Sequence, residues 1–420
     1  MTMNSFFGVL LFALFLLLVD RYVWSGTKTL IPEGKTRLLR TFSTLFWGYT
    51  AISLLVLLLF LVFPEEKLPH GMRSLFFMVI GVPLLGKLLT VFVLSLDDVR
   101  RGITWMAKSA SGKPAKGAAE PGHPTISRSE FLTKTAAAAG VGLAGTLVFG
   151  ILSGAHDYRV RRIRLSLKNL PAKFNGLRIV QLSDIHTGSF YNQTAVKGGV
   201  EMALNEKPDL IVFTGDLVND QTSEANEYIP VFRKVKAPLG VYSVLGNHDY
   251  GDYRRWASKH AKEQNFSDML AAHKALGWDL MLDENRAITV EGESIGLVGI
   301  QNWGGGRFPK YGDLDKALAG AGDFPVKILL SHDPSHWDLQ VIPERPEIDL
   351  MLAGHTHGMQ FGVEIPGFRW SPAQYNYKHW AGLYEDKNQY LYVNRGFGYI
   401  GYPGRVGILP EITVIELVKG

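Results

Sequence analysis

"DLMLAGHTHG", residues 349–358, ends an apolar run in two histidines one position apart. Alone, His355-Thr356-His357 reads as turn residues closing a strand. A metal site would need further ligands from elsewhere in the chain. Four other apolar runs supply them. "IVQLSDIH" runs into Asp184 and His186, "LIVFTGD" into Asp216, "YSVLGNHD" into Asn247, His248 and Asp249, and "KILLSHD" into His332. One such ending is ordinary, because turns after strands favour Asp, Asn and Gly for backbone reasons. Five endings that share oxygen and nitrogen ligands are not. Ligand sites gather at the carboxyl ends of strands in open α/β sheets.

The set offers three carboxylates, an amide oxygen and five imidazoles. That exceeds the needs of one ion and suits two divalent ions sharing a bridging carboxylate. Two metals ~3.5–4 Å apart hold a hydroxide between them and clamp a phosphate for in-line attack. Asn247 fits this better than a structural zinc site, which does not normally use a neutral amide. Gly215, Gly246, Gly354 and Gly358 flank the ligands and allow sharp turns.

Composition closes off other chemistries. The chain has no cysteine, which excludes disulfides, zinc–thiolate sites, iron–sulfur clusters and a cysteine nucleophile. A net charge of +5 over 420 residues, without a concentrated basic stripe, argues against a nucleic-acid partner.

The first third reads as membrane. Apolar segments at about 5–24, 42–63 and 75–96 are each long enough to cross a bilayer of ~30 Å. A fourth, at about 135–153, is rich in Ala and Gly, which suits close helix packing. Lys and Arg crowd the loops after the first and third segments, while the second loop offers Lys67 and Arg73. The positive-inside bias puts the catalytic region on the extracytoplasmic side of the inner or plasma membrane. Arg159, Arg161, Arg162, Arg164 and Lys168 follow the fourth segment and belong to a first strand or to lipid head groups. Lys87 stands out as an intramembrane charge that snorkels or faces a cavity. A flexible linker is expected at about 108–127. Ser127 to Leu132 is similar to a twin-arginine export signal, but Ser129 replaces the second arginine, so a plain anchor is expected.

The division expected is a membrane region over 1–155 and a catalytic domain over 156–420. In the second, β-rich runs at 177–182, 210–214, 241–245, 295–300, 326–330, 348–353, 390–393 and 412–417 alternate with helical patterns at 194–206, 224–235 and 266–276. Such alternation predicts buried sheets covered by helices. Trp256, Trp303, Phe308 and Trp370 fall in loop-like stretches near the motifs, either as core or as the border of an apolar entrance.

D-x-H, G-D, G-N-H-D, a strand-end His and G-H-x-H, in this order over about 164–418, resemble the calcineurin-like metallophosphoesterase superfamily, most of all its bacterial membrane-attached members. The resemblance implies a four-layer α/β/β/α sandwich behind an all-α membrane region of about four helices. It also implies one divalent ion on Asp184, His186, Asp216 and His357, and a second on Asp216, Asn247, His332 and His355. Manganese, iron and zinc are the expected metals. His248 is then the group that contacts phosphoryl oxygens and protonates the leaving group, with Asp249 either orienting it or capping a turn. Asn247 and, more weakly, Arg405 are candidates for phosphate contact. His260, His273, His336 and His379 read as surface or satisfied polar residues. Asn219 stands where protein phosphatases of this superfamily carry an Asp, which argues against a phosphoprotein substrate.

The expected activity is hydrolysis of a phosphomonoester, phosphodiester or pyrophosphate bond, a lipid-linked substrate being favoured by the generous membrane region. The alternatives are a tethered phosphodiesterase or nucleotidase for soluble substrates and a non-catalytic membrane sensor.

Overall fold

The computed structural model describes residues 3–62, 75–111, 128–306 and 308–420. It divides into two compact units, Met1–Phe149 and Gly150–Gly420. The division falls slightly before the boundary expected from sequence. The reason is local: Gly150 accepts a hydrogen bond from the Arg405 amide (3.1 Å), and Ile151 accepts one from the Tyr191 hydroxyl.

Among the described residues, four helices are long and apolar enough to cross a membrane. They are α1 (Met3–Thr27), α2 (Thr36–Val62), α3 (Val82–Ser111, entered through a wide turn at Phe77–Gly81) and α4 (Arg128–Leu152). The helices overrun the apolar windows because flanking polar residues such as Arg37 and Arg40 are good helix formers. Lys108, expected in the linker, is therefore helical. The rest of that linker, 112–127, and the loop with Lys67 and Arg73 lie outside the described residues. Between α3 and α4 the backbones nearly touch: a Cβ on Gly86 would stand 2.5 Å from the Gly140 carbonyl oxygen. Only small residues permit that approach.

Lys87 does not stand alone. Its ammonium lies 2.5 Å from Asp20, whose other oxygen accepts from the Thr50 hydroxyl, also at 2.5 Å. Lys87 also borders a cavity of about 540 Å³ lined by Val23, Phe42, Phe46 and Gly140. Asp20 was overlooked in the sequence because it sits inside the first apolar run. Removing one partner of a buried pair leaves the other uncompensated, at a cost of about 3–5 kcal/mol. Lys87→Met is thus expected to lower the unfolding temperature of the full-length protein in detergent. The double variant Lys87→Met/Asp20→Leu should recover most of the loss, and no recovery would rule out the pair as the cause.

The second unit, among the described residues, contains two six-stranded sheets and a two-stranded ribbon. The first sheet has the order β1 (Arg159–Leu167), β14 (Glu411–Lys419), β2 (Arg178–Leu182), β3 (Leu210–Phe213), β4 (Val241–Ser243), β5 (Asp279–Leu280). β2 to β5 are parallel, β14 runs antiparallel to β2, and β1 is parallel to β14. The second sheet has the order β12 (Gly382–Asp386), β13 (Gln389–Val393), β9 (Leu350–Ala353), β8 (Lys327–Leu330), β7 (Glu293–Gly299), β6 (Glu284–Val290), parallel from β13 to β7 with antiparallel edges.

Leu165, Ile179 and Val212 of the first sheet meet Ile295, Ile328 and Leu352 of the second in one buried cluster. The outer face of the first sheet packs Val180, Ile211 and Phe213 against α5 (Gln193–Asn205) and α6 (Lys259–Leu276). The outer face of the second packs Val298, Leu329 and Met351 against Leu314, Trp337 and Val341 of short helices. The result is the α/β/β/α sandwich. Full burial of these runs explains their unbroken apolar character. The pattern at 224–235 forms only a turn at Thr222–Ala225 and a short helix at Ile229–Phe232, with Pro230 in its first turn.

Candidate metal centre

β2, β3, β4, β8 and β9 all deliver their carboxyl ends to one edge of the sandwich, two sheets contributing to one site. The chain turns there at once. Asp184, His186, Asp216, His355 and His357 have φ of 51°, 51°, 64°, 71° and 50°. Non-glycine residues rarely adopt this left-handed region, and those that do cluster at functional sites, where the surrounding fold holds them. Gly215, at φ 97°, leaves no room for a side chain, since a Cβ would stand 2.5 Å from the Gly246 amide and 2.9 Å from His332 Nδ1.

Two buried groups of ligand atoms result. Asp184, His186 and His357 form one, and Asp216, His332 and His355 the other, with the ligand atoms of each within 4.8 Å of one another. His355 and His357 thus part company, one to each group. In the first, His357 Nε2 lies 3.3 Å from Asp184 Oδ1 and 3.0 Å from His186 Nε2. In the second, His332 Nε2 is 3.0 Å from Asp216 Oδ2 and 3.3 Å from His355 Nδ1. Asp216 Oδ2 is also 3.6 Å from His186 Nε2, so Asp216 stands between the groups.

The second layer fixes the rings. His186 Nδ1 and His332 Nδ1 lie 3.1 Å and 2.7 Å from the carbonyls of Val218 and Thr214. A carbonyl only accepts, so each Nδ1 carries a proton and each Nε2 is turned to the cluster. His355 is mounted the other way round, its Nε2 2.8 Å from the Tyr377 hydroxyl. Asn247 donates to the Tyr253 hydroxyl (2.9 Å), and its Oδ1 is buried without a hydrogen-bond partner in the protein. A buried oxygen without a donor and converging lone pairs are what divalent cations would satisfy. The residues present fit two such ions.

Three further sequence candidates take distinct places. His248 donates its amide to Asp216 Oδ1 (2.9 Å), and its ring Nδ1 lies 2.6 Å from the Asn219 carbonyl. That leaves Nε2 available to the pocket. Asp249 does not touch this ring: its carboxylate accepts from the amides of Asp216, Leu217, Val218 and Gly246, tying two ligand loops together. Burial and the Asp216 charge push its carboxyl up to about 7. Asp249 therefore holds loops rather than orienting His248.

Arg405 departs from expectation altogether. It is neither exposed nor aimed at a substrate. It is buried behind His357, donating to the carbonyls of Arg395, Gly396 and Gly398, with Nη2 3.0 Å from His357 Nδ1. Arg405 thus packs behind that ring. Of the remaining histidines, His260 is exposed, His336 is satisfied by Ser331 and Gln340, His379 pairs with Asp338, and buried His273 meets Ser243.

Electrostatics suit cation capture. Burial would raise Asp184 and Asp216, yet the neighbouring His357 and His332 hold both well below the usual carboxylate range. Burial lowers His186, His355 and His357, which keeps them neutral, as metal ligands must be. His332 differs: burial pulls it down, but Asp216 outweighs this and pushes it up to about 10. At pH 7, below that value, the ring holds a proton that an arriving cation has to displace. Adding Mn²⁺ to the metal-free protein should therefore release a proton, read as apparent binding enthalpies that differ between two buffers of unlike ionisation enthalpy. Equal enthalpies would contradict it.

A pocket of about 400 Å³ opens over the cluster, bounded by His186, Asp216, Asn247, His248, His355 and His357 and walled further by Phe308, Met359, Gln360, Tyr377, Ile400 and Tyr402. Of the aromatics flagged in sequence, Phe308 lines it. Trp303 is buried against His336, Trp256 is held by the Gly251 carbonyl, and Trp370 lies in a strand. Tyr377, Met359, Ile400 and Tyr402 escaped the sequence reading because no local pattern marks residues gathered from separate loops.

Comparison with known proteins agrees with this geometry. Residues 3–155 match a family model described as the transmembrane domain of a probable calcineurin-like phosphoesterase, and residues 177–359 match the calcineurin-like phosphoesterase model. A Danio rerio protein named transmembrane protein with metallophosphoesterase domain is 31% identical over 283 residues, covering 64% of this chain and 60% of its own length. An uncharacterized metallophosphoesterase of Bacillus subtilis is 31% identical over 309 residues, covering 70% of this chain and 98% of its own. A UDP-2,3-diacylglucosamine pyrophosphatase of Chlamydia trachomatis is 28% identical over 283 residues, covering 57% and 83%. The chain spans about 60% of the length of the Danio relative.

Proposed function

From the family to which this chain belongs, the calcineurin-like phosphoesterases, we propose a membrane-integral hydrolase of phosphoric ester or anhydride bonds working with two divalent ions. The observation that carries the reading is the pair of ligand groups on either side of Asp216, with the partnerless Asn247 Oδ1 beside them. Asp184, His186, Asp216 and His357 would hold one ion, and Asp216, Asn247, His332 and His355 the other. Such ions, when bound, supply Lewis acidity toward phosphoryl oxygens and lower the pKa of water.

The chain's own residues then do the rest. His248, pinned through its amide to Asp216 and through Nδ1 to Asn219, presents Nε2 to the pocket as the acid that protonates the leaving oxygen. Asp249 and Arg405 keep the loops and the His357 ring in place. The apolar wall of Phe308, Met359 and Ile400 supports a substrate with a lipid part, as does the name of the chlamydial relative. The basic loops favour a catalytic unit on the extracytoplasmic side.

The test is turnover by full-length protein in detergent with Mn²⁺, comparing p-nitrophenyl phosphate, bis-p-nitrophenyl phosphate and a lipid pyrophosphate. Preference for the lipid substrate is expected. Preference for a soluble ester would sink the lipid-linked reading, and bound metal without turnover on any substrate would favour a sensor.

A further inference from the structure

The loop of metal ligands His355 and His357 leads directly into a small antiparallel ribbon, β10 (Val363–Ile365) and β11 (Phe368–Trp370), joined by Pro366-Gly367. Its register pairs Val363 with Trp370, Glu364 with Arg369, and Ile365 with Phe368. Paired residues share a face, so one face is Val363, Ile365, Phe368 and Trp370, all apolar. The other is Glu364 and Arg369. Val363, Ile365 and Phe368 are 43%, 58% and 55% exposed. Single exposed apolar residues are ordinary on a protein surface, but a whole ribbon face is a patch that marks an interaction site.

The polar face is bound to the unit. Glu364 accepts from Arg161 at 2.5 Å and from Arg395 at 2.7 Å, and Arg369 donates to the Ala381 carbonyl. Arg161 ties the ribbon to β1, the strand that follows α4 in the chain. Helix α4 ends at Leu152, within the same compact unit as the ribbon, and Arg161 follows nine residues later. Nine extended residues reach at most about 32 Å. A second link agrees: Phe361, at the base of the ribbon, bridges to Val406, which lies against Gly150 near the end of that helix.

We propose that the β10–β11 ribbon is a membrane-docking hairpin whose apolar face enters the lipid head-group region. Interfacial elements of this kind bury their apolar side about 5–10 Å into the boundary between head groups and acyl chains. Met359, 40% exposed, belongs both to the pocket wall and to the loop leading into the ribbon. Docking therefore sets the mouth of the metal pocket at the lipid surface. That last consequence, delivery of a membrane-resident phosphate, rests on the phosphoesterase reading, whereas the docking itself does not.

Because the chain has no cysteine, one introduced cysteine gives a unique label. Full-length Phe368→Cys, carrying an environment-sensitive fluorophore, is reconstituted in vesicles of phosphatidylethanolamine and phosphatidylglycerol. Lys387→Cys, in the exposed turn between β12 and β13 at the end of β13 away from the site, is the control. The Phe368 label should be quenched by lipids spin-labelled near the head group and shielded from aqueous iodide, and the Lys387 label should behave oppositely. Equal iodide quenching at both positions would overturn the proposal. So would shielding that grows with protein-to-lipid ratio, since a second copy of the chain would then cover the face.

The variant Ile365→Asp/Phe368→Asp adds a kinetic readout. Its turnover of a vesicle-borne lipid phosphate should fall roughly tenfold or more, given the partition cost of two apolar side chains, with hydrolysis of p-nitrophenyl phosphate unchanged. Equal loss on both substrates would count against docking. Absence of turnover in the unsubstituted protein would defeat the hydrolase reading, and the labels would still decide the docking.

Discussion

Asp216→Asn should empty both metal sites and reduce turnover by about 10³–10⁵-fold, several kcal/mol of lost electrostatic stabilisation at roughly 1.4 kcal/mol per decade. The reason is position. Asp216 Oδ2 lies 3.0 Å from His332 Nε2 in one ligand group and 3.6 Å from His186 Nε2 in the other. The amide is nearly isosteric and can still accept the His248 amide proton through Oδ1, so the loops need not move. It removes the one charge that faces both groups. Metal content by mass spectrometry and turnover are measured on the same sample, with thermal unfolding as a check on folding. Asp184→Asn is the contrast, because the Asp184 carboxylate belongs to the first ligand group and reaches the second through the His355 backbone amide, so it should leave part of the second ion bound. Retention of both ions by Asp216→Asn would refute its bridging place.

His248→Gln should do the reverse, leaving metal content near normal while turnover drops by roughly 10²–10⁴-fold, the usual worth of a positioned acid–base group. The backbone amide that binds Asp216 remains, and only the ring is lost. Leaving groups give a sharper reading. An ester that releases p-nitrophenolate needs little protonation, so its turnover should suffer less than that of an alkyl ester. Metal loss comparable to that of Asp216→Asn, or an equal drop for both esters, would remove His248 from the role of acid.

The sandwich was legible because burial of the central strands on both faces leaves a largely apolar signature in β2, β3, β8 and β9, with Gln181 inside β2 bonded to Thr214 and Ala353. The candidate ligand groups were legible for another reason: one polar strand ending has a backbone explanation, whereas five that share oxygen and nitrogen donors do not. Edge elements were harder to read. β6 alternates between exposed and half-buried positions, and the first turns of α6 are polar, although Ser258, whose hydroxyl accepts from the Ala261 amide, marks its start. Arg405 shows where local reasoning stops. Its glycine-rich surroundings suggest a surface loop, and only the closure of 395–408 around its guanidinium makes it a buried support for His357. Asp20 was hidden by its neighbours, and its meaning depends on Lys87, which arrives two helices later.

The strand that completes the first sheet is the last of the described strands. β14 lies between β1 and β2, and Arg159 stands in register with Glu411. Until residues 405–419 are made, β1 has no partner among the described strands, β2 lacks one edge, and the loop that carries Arg405 is not yet behind His357. Contacts this distant in sequence are slow to form. A nascent unit with such a topology cannot complete its first sheet before β14 is made. For a domain proposed to work across the membrane from its site of synthesis, late closure makes passage through a narrow translocation channel compatible with a tightly packed final state.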